Sequence, residues 1–345
     1  MAPRTPCAAG FSLPELMIAL AIGLMLIIAF ITVLDRCRHE MASVESLAQL
    51  DNEARQALDV LTLDLEHAGF FGTAGGLPWR FSRNGTAVTE GEVLRQPDAA
   101  QPRAPLAGLP AGSHDCGVNF TVDLELAVEA ANNSWLHAGD PRSCTPTAAA
   151  GGVHAGSDTL IIRRASLEPA EPHAGRLQLY QRRLETHAGG ALFADGVTPG
   201  PLDDQAEIRD IEVRSYYIAN RSVGGEDSRA LRVKALTESR GAAQFRDEEL
   251  VPGVEDLQVE FGVRDPSGAD AKLRFVTADF PWLRAQRVVA VRFWLRIRAN
   301  STEAGYEDTR ALRYSDASFV PDRTEAGQRR VLIERTVFLR NEAPT

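Results

Sequence analysis

Residues 10–15 read Gly10-Phe11-Ser12-Leu13-Pro14-Glu15, and the nineteen residues that follow, Leu16 to Leu34, carry no charge. At ~1.5 Å rise per residue, the uncharged run makes a helix about 28 Å long, close to the hydrocarbon thickness of a bilayer. The ten residues ahead of it, Met1 to Gly10, carry Arg4, Pro3 and Pro6 and no apolar core of their own. They form a leader separate from the helix.

Three readings of this N-terminus compete. A secretory signal peptide would need a short apolar core and a small-residue cleavage site, but the run passes directly into Asp35-Arg36-Cys37-Arg38-His39-Glu40. A plain signal anchor explains the apolar length and leaves the Gly-Phe junction and the lone Glu15 unexplained. The third reading accounts for all three features: Gly10-Phe11-Ser12-Leu13 with Glu15, ahead of such a run, resembles the class III signal of type IV pilins and related pseudopilins. The resemblance implies that a prepilin peptidase cuts after Gly10 and methylates the new amine on Phe11.

Two readings of Glu15 stand side by side. Ser12-x-x-Glu15 is a capping box, and a carboxylate in the first turn complements the helix dipole. An ionisable group beside hydrocarbon is also costly, about 2.5–3.5 kcal/mol at a helix centre and less near the interface, so it calls for a partner. In the resembling family the matching Glu faces the methylated amine of a neighbouring subunit, here Phe11, and sets subunit register. Pro14 departs from the apolar residue commoner at that place in the family. Within the first helical turn its missing N–H has no intrahelical acceptor to lose, and it keeps Leu13 extended for cleavage.

Outward from the run, Met41, Val44, Leu47, Leu50, Ala54, Leu58, Leu61, Leu65 and Ala68 recur at threes and fours, the spacing of an amphipathic helix. No Pro lies between Pro14 and Pro78 and no Gly between Gly23 and Gly69, so the spacing predicts one helix from Ser12 to Ala68, about 85 Å long. Gly69 to Gly76, with Phe70 and Phe71 inside, ends it in the manner of a glycine C-cap. The stretch from Leu58 to Gly72 resembles the helix end of PilW-type minor pilins, and Gly156 to Leu160, Tyr216-Tyr217-Ile218, Glu249 to Leu257 and Phe338 to Asn341 resemble segments of the same family in the same order.

Beyond Gly156 the pattern turns to strands: Thr159 to Arg164, Arg176 to Arg183, Ile208 to Ala219, Ala230 to Leu236 and Arg330 to Arg340. The strongest alternation sets Val289, Val291, Phe293, Leu295 and Ile297 on one face and Arg292, Trp294, Arg296 and Arg298 on the other, which reads as polar. Glu248 to Val263 reads as a turn or short helix leading into Leu257-Gln258-Val259-Glu260-Phe261. Residues 78–110 read as irregular. The division is leader 1–10, transmembrane helix 11–34, amphipathic helix 35–68, a loop-rich region 69–155 and a β-rich body 156–345. The fold class is α+β and type IV pilin-like: a long N-terminal helix on a largely antiparallel sheet.

Of four cysteines, Cys7 leaves with the leader, Cys37 sits at the membrane edge, and Cys116 and Cys144 fall together in the loop-rich region. In an oxidising periplasm the last two are expected to pair; the alternative is two buried thiols. The net charge of -10, or -11 once Arg4 is lost, and the lack of a basic block disfavour nucleic-acid binding.

The chemistry-bearing motifs are missing. The seven histidines lack helical zinc spacing, and no phosphate loop, dinucleotide fingerprint or nucleophile elbow occurs. His114 and Cys116 are sequence neighbours rather than a thiol and base. Asp265, Ser267 and Asp270 read as a hairpin turn lacking the later Glu of a calcium loop. No enzyme activity, cofactor or metal is expected.

The resemblance implies a structural minor pilin of the inner membrane with a periplasmic body, later part of the pilus at the cell surface. It would prime assembly and join a tip complex, supporting adhesion and twitching motility. Its partners would be other minor pilins, the major pilin, a tip adhesin, the prepilin peptidase and the inner-membrane assembly platform. The alternatives are a minor pseudopilin of a type II secretion system and, from another class, a membrane-anchored periplasmic enzyme or binding module.

Overall fold

A computed structural model describes residues 12–72, 116, 120–122, 124, 126–135, 144–148, 151–182, 189–225, 228–264, 272–281, 283 and 287–341. The Gly10–Phe11 junction, His114, the stretch 78–110 and the 265–270 turn lie outside them. One helix, α1 (Leu13–His67), takes 55 residues, with Ser12 as N-cap and Ala68 as C-cap, matching the continuous helix expected from the absence of Gly and Pro breaks. Gly69 and Gly72 both take positive φ, 71° and 77°, and turn the chain away from the helix axis.

Seven strands form one antiparallel sheet: β1 (Val128–Ala131), β2 (Thr159–Ala165), β3 (Ala174–Arg182), β4 (Gly189–Asp195), β5 (Ala206–Ala219), β6 (Ala230–Ser239) and β7 (Ala242–Pro252). The long β5 organises it, pairing with β3 near its start, with β2 through its middle and with β6 at its end. The β6–β7 hairpin closes on Arg240 and Gly241, both with positive φ, as a two-residue turn requires. A second sheet in the order β13-β10-β8-β9 contains β8 (Val254–Arg264), β9 (Leu273–Thr277), β10 (Arg287–Thr302) and β13 (Gln328–Phe338). A small hairpin, β11 (Leu312–Tyr314) and β12 (Ala317–Phe319), precedes β13.

Three expectations change. Glu248 to Val263 is no helix: it is the end of β7, a turn at Gly253 and all but the last residue of β8. Gly253 has φ 77°, and a Cβ there would stand 2.8 Å from the Arg298 carbonyl oxygen. The helical stripe also starts later than its spacing suggests. Met41, Val44 and Leu47 are 72%, 66% and 49% exposed, whereas Ser46, Leu50, Glu53, Ala54, Ala57, Leu61, Asp64 and Leu65 are buried. The body covers the helix only from about Ser46 onward, and periodicity records an apolar face without recording how far its cover extends.

The third correction concerns the far face of β10. Trp294, Arg296 and Arg298 are buried rather than solvent-facing. Phe319 of the small hairpin lies over the Arg296 and Arg330 guanidiniums, 3.8 and 5.1 Å from ring centre to carbon, so sequence remote from β10 covers that face.

The main core lies between α1 and the sheets. Leu50, Leu61 and Leu65 meet Leu160, Ile162 and Tyr216 of the first sheet and Leu257, Val259, Phe293 and Leu295 of the second. A second cluster covers the opposite face of the first sheet, where Phe71, Cys116, Phe120 and Leu124 pack on Ile161, Leu179 and Val213. With both faces covered, all seven residues of β2 are buried.

Candidate functional site

The candidate site is the helix, free at one end and fastened at the other. At the free end, the Glu15 carboxylate accepts hydrogen bonds from the Ser12 backbone N–H at 2.8 Å and the Ser12 hydroxyl at 2.9 Å. The capping arrangement is thus present in the single chain. Leu16, Met17, Ile18, Leu20, Ile22, Leu24 and the apolar residues beyond them to Leu34 are exposed, and this is the one described helix long and apolar enough to cross a membrane. From Glu15 to Leu50, the first large apolar side chain of the helix buried in the body, is about 50 Å.

At the fastened end, Asp64 is only 1% exposed, on the face that Leu61, Leu65 and Ala68 bury. Its carboxylate accepts from Arg164 at 3.2 Å, from Arg214 at 2.9 and 3.0 Å, and from the Tyr216 hydroxyl, which projects from the middle of β5. Glu212 pairs with both arginines, at 2.7 and 2.8 Å, and balances the second positive charge. Burial, then the Asp64 charge, pushes the Tyr216 phenol well above its ordinary value, so it stays a donor.

The last turn makes further bonds. The Gly69 N–H donates to the Arg163 carbonyl, the Ala165 N–H to the Phe70 carbonyl, the Asn341 side-chain amide to the Ala68 carbonyl, and Arg340 pairs with Glu66 at 3.0 Å. The Gly69-Phe70-Phe71-Gly72 stretch therefore lies along β2, with Phe71 in the second core. Sequence reasoning passed over Asp64, although a signal existed: it is a charge at i+3 from Leu61 on an otherwise apolar stripe.

On the other side of the first sheet, Cys116 and Cys144 form a disulfide, while Cys37 is a free, exposed thiol on the helix. The Lys234 ammonium donates to the Cys144 carbonyl. The buried Arg163 donates to the Phe120 and Leu126 carbonyls at 2.8 and 2.9 Å and pairs with Glu129 at 3.1 Å, fixing the neighbouring segment. In the chain lacking residues 1–10, thiol labelling of the folded state is expected at Cys37 alone, and reduction should cost about 3–4 kcal/mol on the chain-entropy account. Labelling of all three cysteines in the folded protein would refute the bond.

A second buried ionic cluster lies between β8, β10 and β13. Glu255 accepts from Arg296 at 3.0 Å and from Arg330 at 2.9 and 3.2 Å, and Arg298 stands 3.4 Å away. Burial alone would raise its pKa, but the Arg330 hydrogen bond and the charges of Arg330, Arg296 and Arg298 outweigh that and hold the carboxyl below its ordinary value. Among the described residues no group of three His, Cys, Asp or Glu is placed to hold a metal ion. Both ionic clusters spend their hydrogen bonds internally, as structural joints do.

Comparison with known proteins agrees with this geometry. Residues 6–31 match the prokaryotic N-terminal methylation motif, and residues 215–341 match the family described as Type IV Pilus-assembly protein W. No curated protein matches the chain. A solved type IV-like pilin from Thermus thermophilus aligns over 86% of this chain and 97% of its own at 12% identity, with a TM-score of 0.35; at that score the fold assignment rests on the elements described above. The methylation motif covers the start of the helix and the W domain runs from the later part of β5 past the end of β13, and over these two stretches the chain is similar to PilW-type minor pilins.

Proposed function

We propose that this minor pilin is inserted in the inner membrane, cut after Gly10, methylated on Phe11, and incorporated at or near the pilus tip. There it helps to prime polymerisation of the major pilin together with other minor pilins, and it supports adhesion through a tip adhesin and twitching motility through retraction. Prepilin peptidase and the inner-membrane assembly platform act on it before that. The observation that carries this reading is the division of α1: its apolar N-terminal part has no cover among the described residues, and its C-terminal part is bolted to the body. A helix so divided suits transfer from lipid to a bundle of like helices. The match to a pilus-assembly family favours a pilus over a secretion pseudopilus.

Glu15 gives the test. In the single chain its carboxylate is held by Ser12, so a neighbour's amine must add to or replace those two bonds. Glu15→Gln keeps the shape and one acceptor oxygen for the cap but removes the charge. The variant is expected to accumulate, be cleaved and fold like wild type, yet to fall several-fold in sheared pili relative to membranes. Equal incorporation would reduce Glu15 to a helix cap. Wild-type protein in sheared pili with Met1 retained, read by intact mass, would sink the processing step.

A further inference from the structure

Beside the Glu255 cluster stands an arginine that the cluster does not use. Arg229, partly buried just before β6, makes no hydrogen bond or ion pair to any described residue, although the charges of Glu255, Arg296, Glu325 and Arg298 act on it. Those acids are already engaged: Glu255 by Arg296 and Arg330, Glu325 by Arg330 at 2.9 Å, and Asp256 by Arg296. Arg229, Arg296, Arg298 and Arg330 thus share only Glu255, Asp256 and Glu325, and the surplus positive charge falls to Arg229.

The sheet register brings a histidine to the same face. Ala219 at the end of β5 pairs with Ala230 on one side and bridges Val153 on the other. The next residues in that register, Asn220 and Arg229, stand opposite each other, and the His154 N–H donates to the Ile218 carbonyl. Ile218 and Asn220 share one face of the strand, so His154 and Arg229 lie on that face with them. The Asn220 amide donates to the Val153 carbonyl at 3.0 Å, which turns its oxygen toward His154 Nδ1, also at 3.0 Å. Nδ1 is therefore the donor. A neutral His154 carries its proton there and leaves Nε2, which has no partner among the described residues, as a bare lone pair; only the protonated ring offers a second N–H.

We propose that Arg229 and His154 form an anion site, in which the Arg229 guanidinium and the Nε2–H of protonated His154 take between them an oxyanion, either a carboxylate or a phosphate- or sulfate-type group. The charges that face His154 are Arg229 before β6, Asp256 of β8 and Arg296 of β10. Burial first, and then the Arg229 charge, holds the ring below its ordinary value. Asp256 pulls the other way, but it already accepts from Ser157 and Tyr314 and pairs with Arg296. Two cationic groups that repel each other gain from an anion placed between them. Binding and protonation therefore reinforce each other, and affinity rises as pH falls. The site does not rest on the pilus reading.

The test uses the full chain in detergent micelles and follows the His154 ring by NMR, its signal identified by its loss in His154→Gln. Sulfate stays a dianion throughout the range in which histidine titrates. It should bind about tenfold tighter once His154 is protonated, read as a rise in the titration midpoint of that ring over sodium chloride at equal ionic strength. A parallel titration uses acetate: a larger rise with acetate assigns the site to carboxylates, and a larger rise with sulfate assigns it to phosphate-like groups. Arg229→Gln should raise the starting midpoint, because a repelling charge is lost, and should abolish the response to both ions. A wild-type midpoint that neither ion moves beyond sodium chloride overturns the site, whether or not the variant folds. An equal response in a folded Arg229→Gln protein overturns it as well, because the arginine then takes no part.

Discussion

Asp64→Ala is expected to lower folding stability by about 3–5 kcal/mol and to free the last turns of the long helix from the first sheet. The substitution leaves Arg164, which is largely buried, and the Tyr216 hydroxyl without the carboxylate they share. Glu212 still pairs with both arginines, so the loss should fall nearer the lower figure. Asp64→Asn retains one acceptor oxygen and should cost about half as much. Asp59→Ala, at an exposed position of the same helix, should stay within about 0.5 kcal/mol. Urea unfolding of the three variants reads the order; Asp64→Ala matching Asp59→Ala would show that the buried cluster does not fasten the helix.

Glu255→Gln should be comparably severe, about 3 kcal/mol or more at neutral pH, because it removes the negative charge on which Arg296 and Arg330 converge. Asp256 and Glu325 keep some pairing, at 3.6 Å to Arg296 and 2.9 Å to Arg330, and limit the damage. The pH dependence separates this from simple misfit. A carboxyl held below its ordinary value contributes stability that is present above the unfolded value and lost as pH falls through the folded one. The gap between wild type and Glu255→Gln should therefore narrow as the pH drops below the ordinary carboxylate range. A gap that stays constant into strong acid would assign the loss to packing alone.

Much of the architecture was legible because its signals are local. A charge-free run of nineteen residues and an unbroken stretch without Gly or Pro specify the helix, and the alternation of Val291, Phe293, Leu295 and Ile297 specifies the central strand of the second sheet. What escaped depends on residues far apart in the chain. The alternation around Arg296 fixed which side chains share a face but could not reveal that Tyr314 and Phe319 would cover it. Asp64 needed Arg164 and Arg214 to become an anchor, 100 and 150 residues away. Spacing rules describe one element at a time, and these joints belong to several. The assignment of Gly10 and Phe11 rests on family resemblance, and both residues lie outside the described ones.

The way the helix ends has a mechanical consequence. Its last turn is tied to β2 through Gly69, Phe70 and the Asp64–Arg164 pair, and to the residues after β13 through Arg340 and Asn341. A pull along the helix axis accordingly enters both sheets together. Neither has to peel from the other to carry it, and the antiparallel ladders share the tension along their strands.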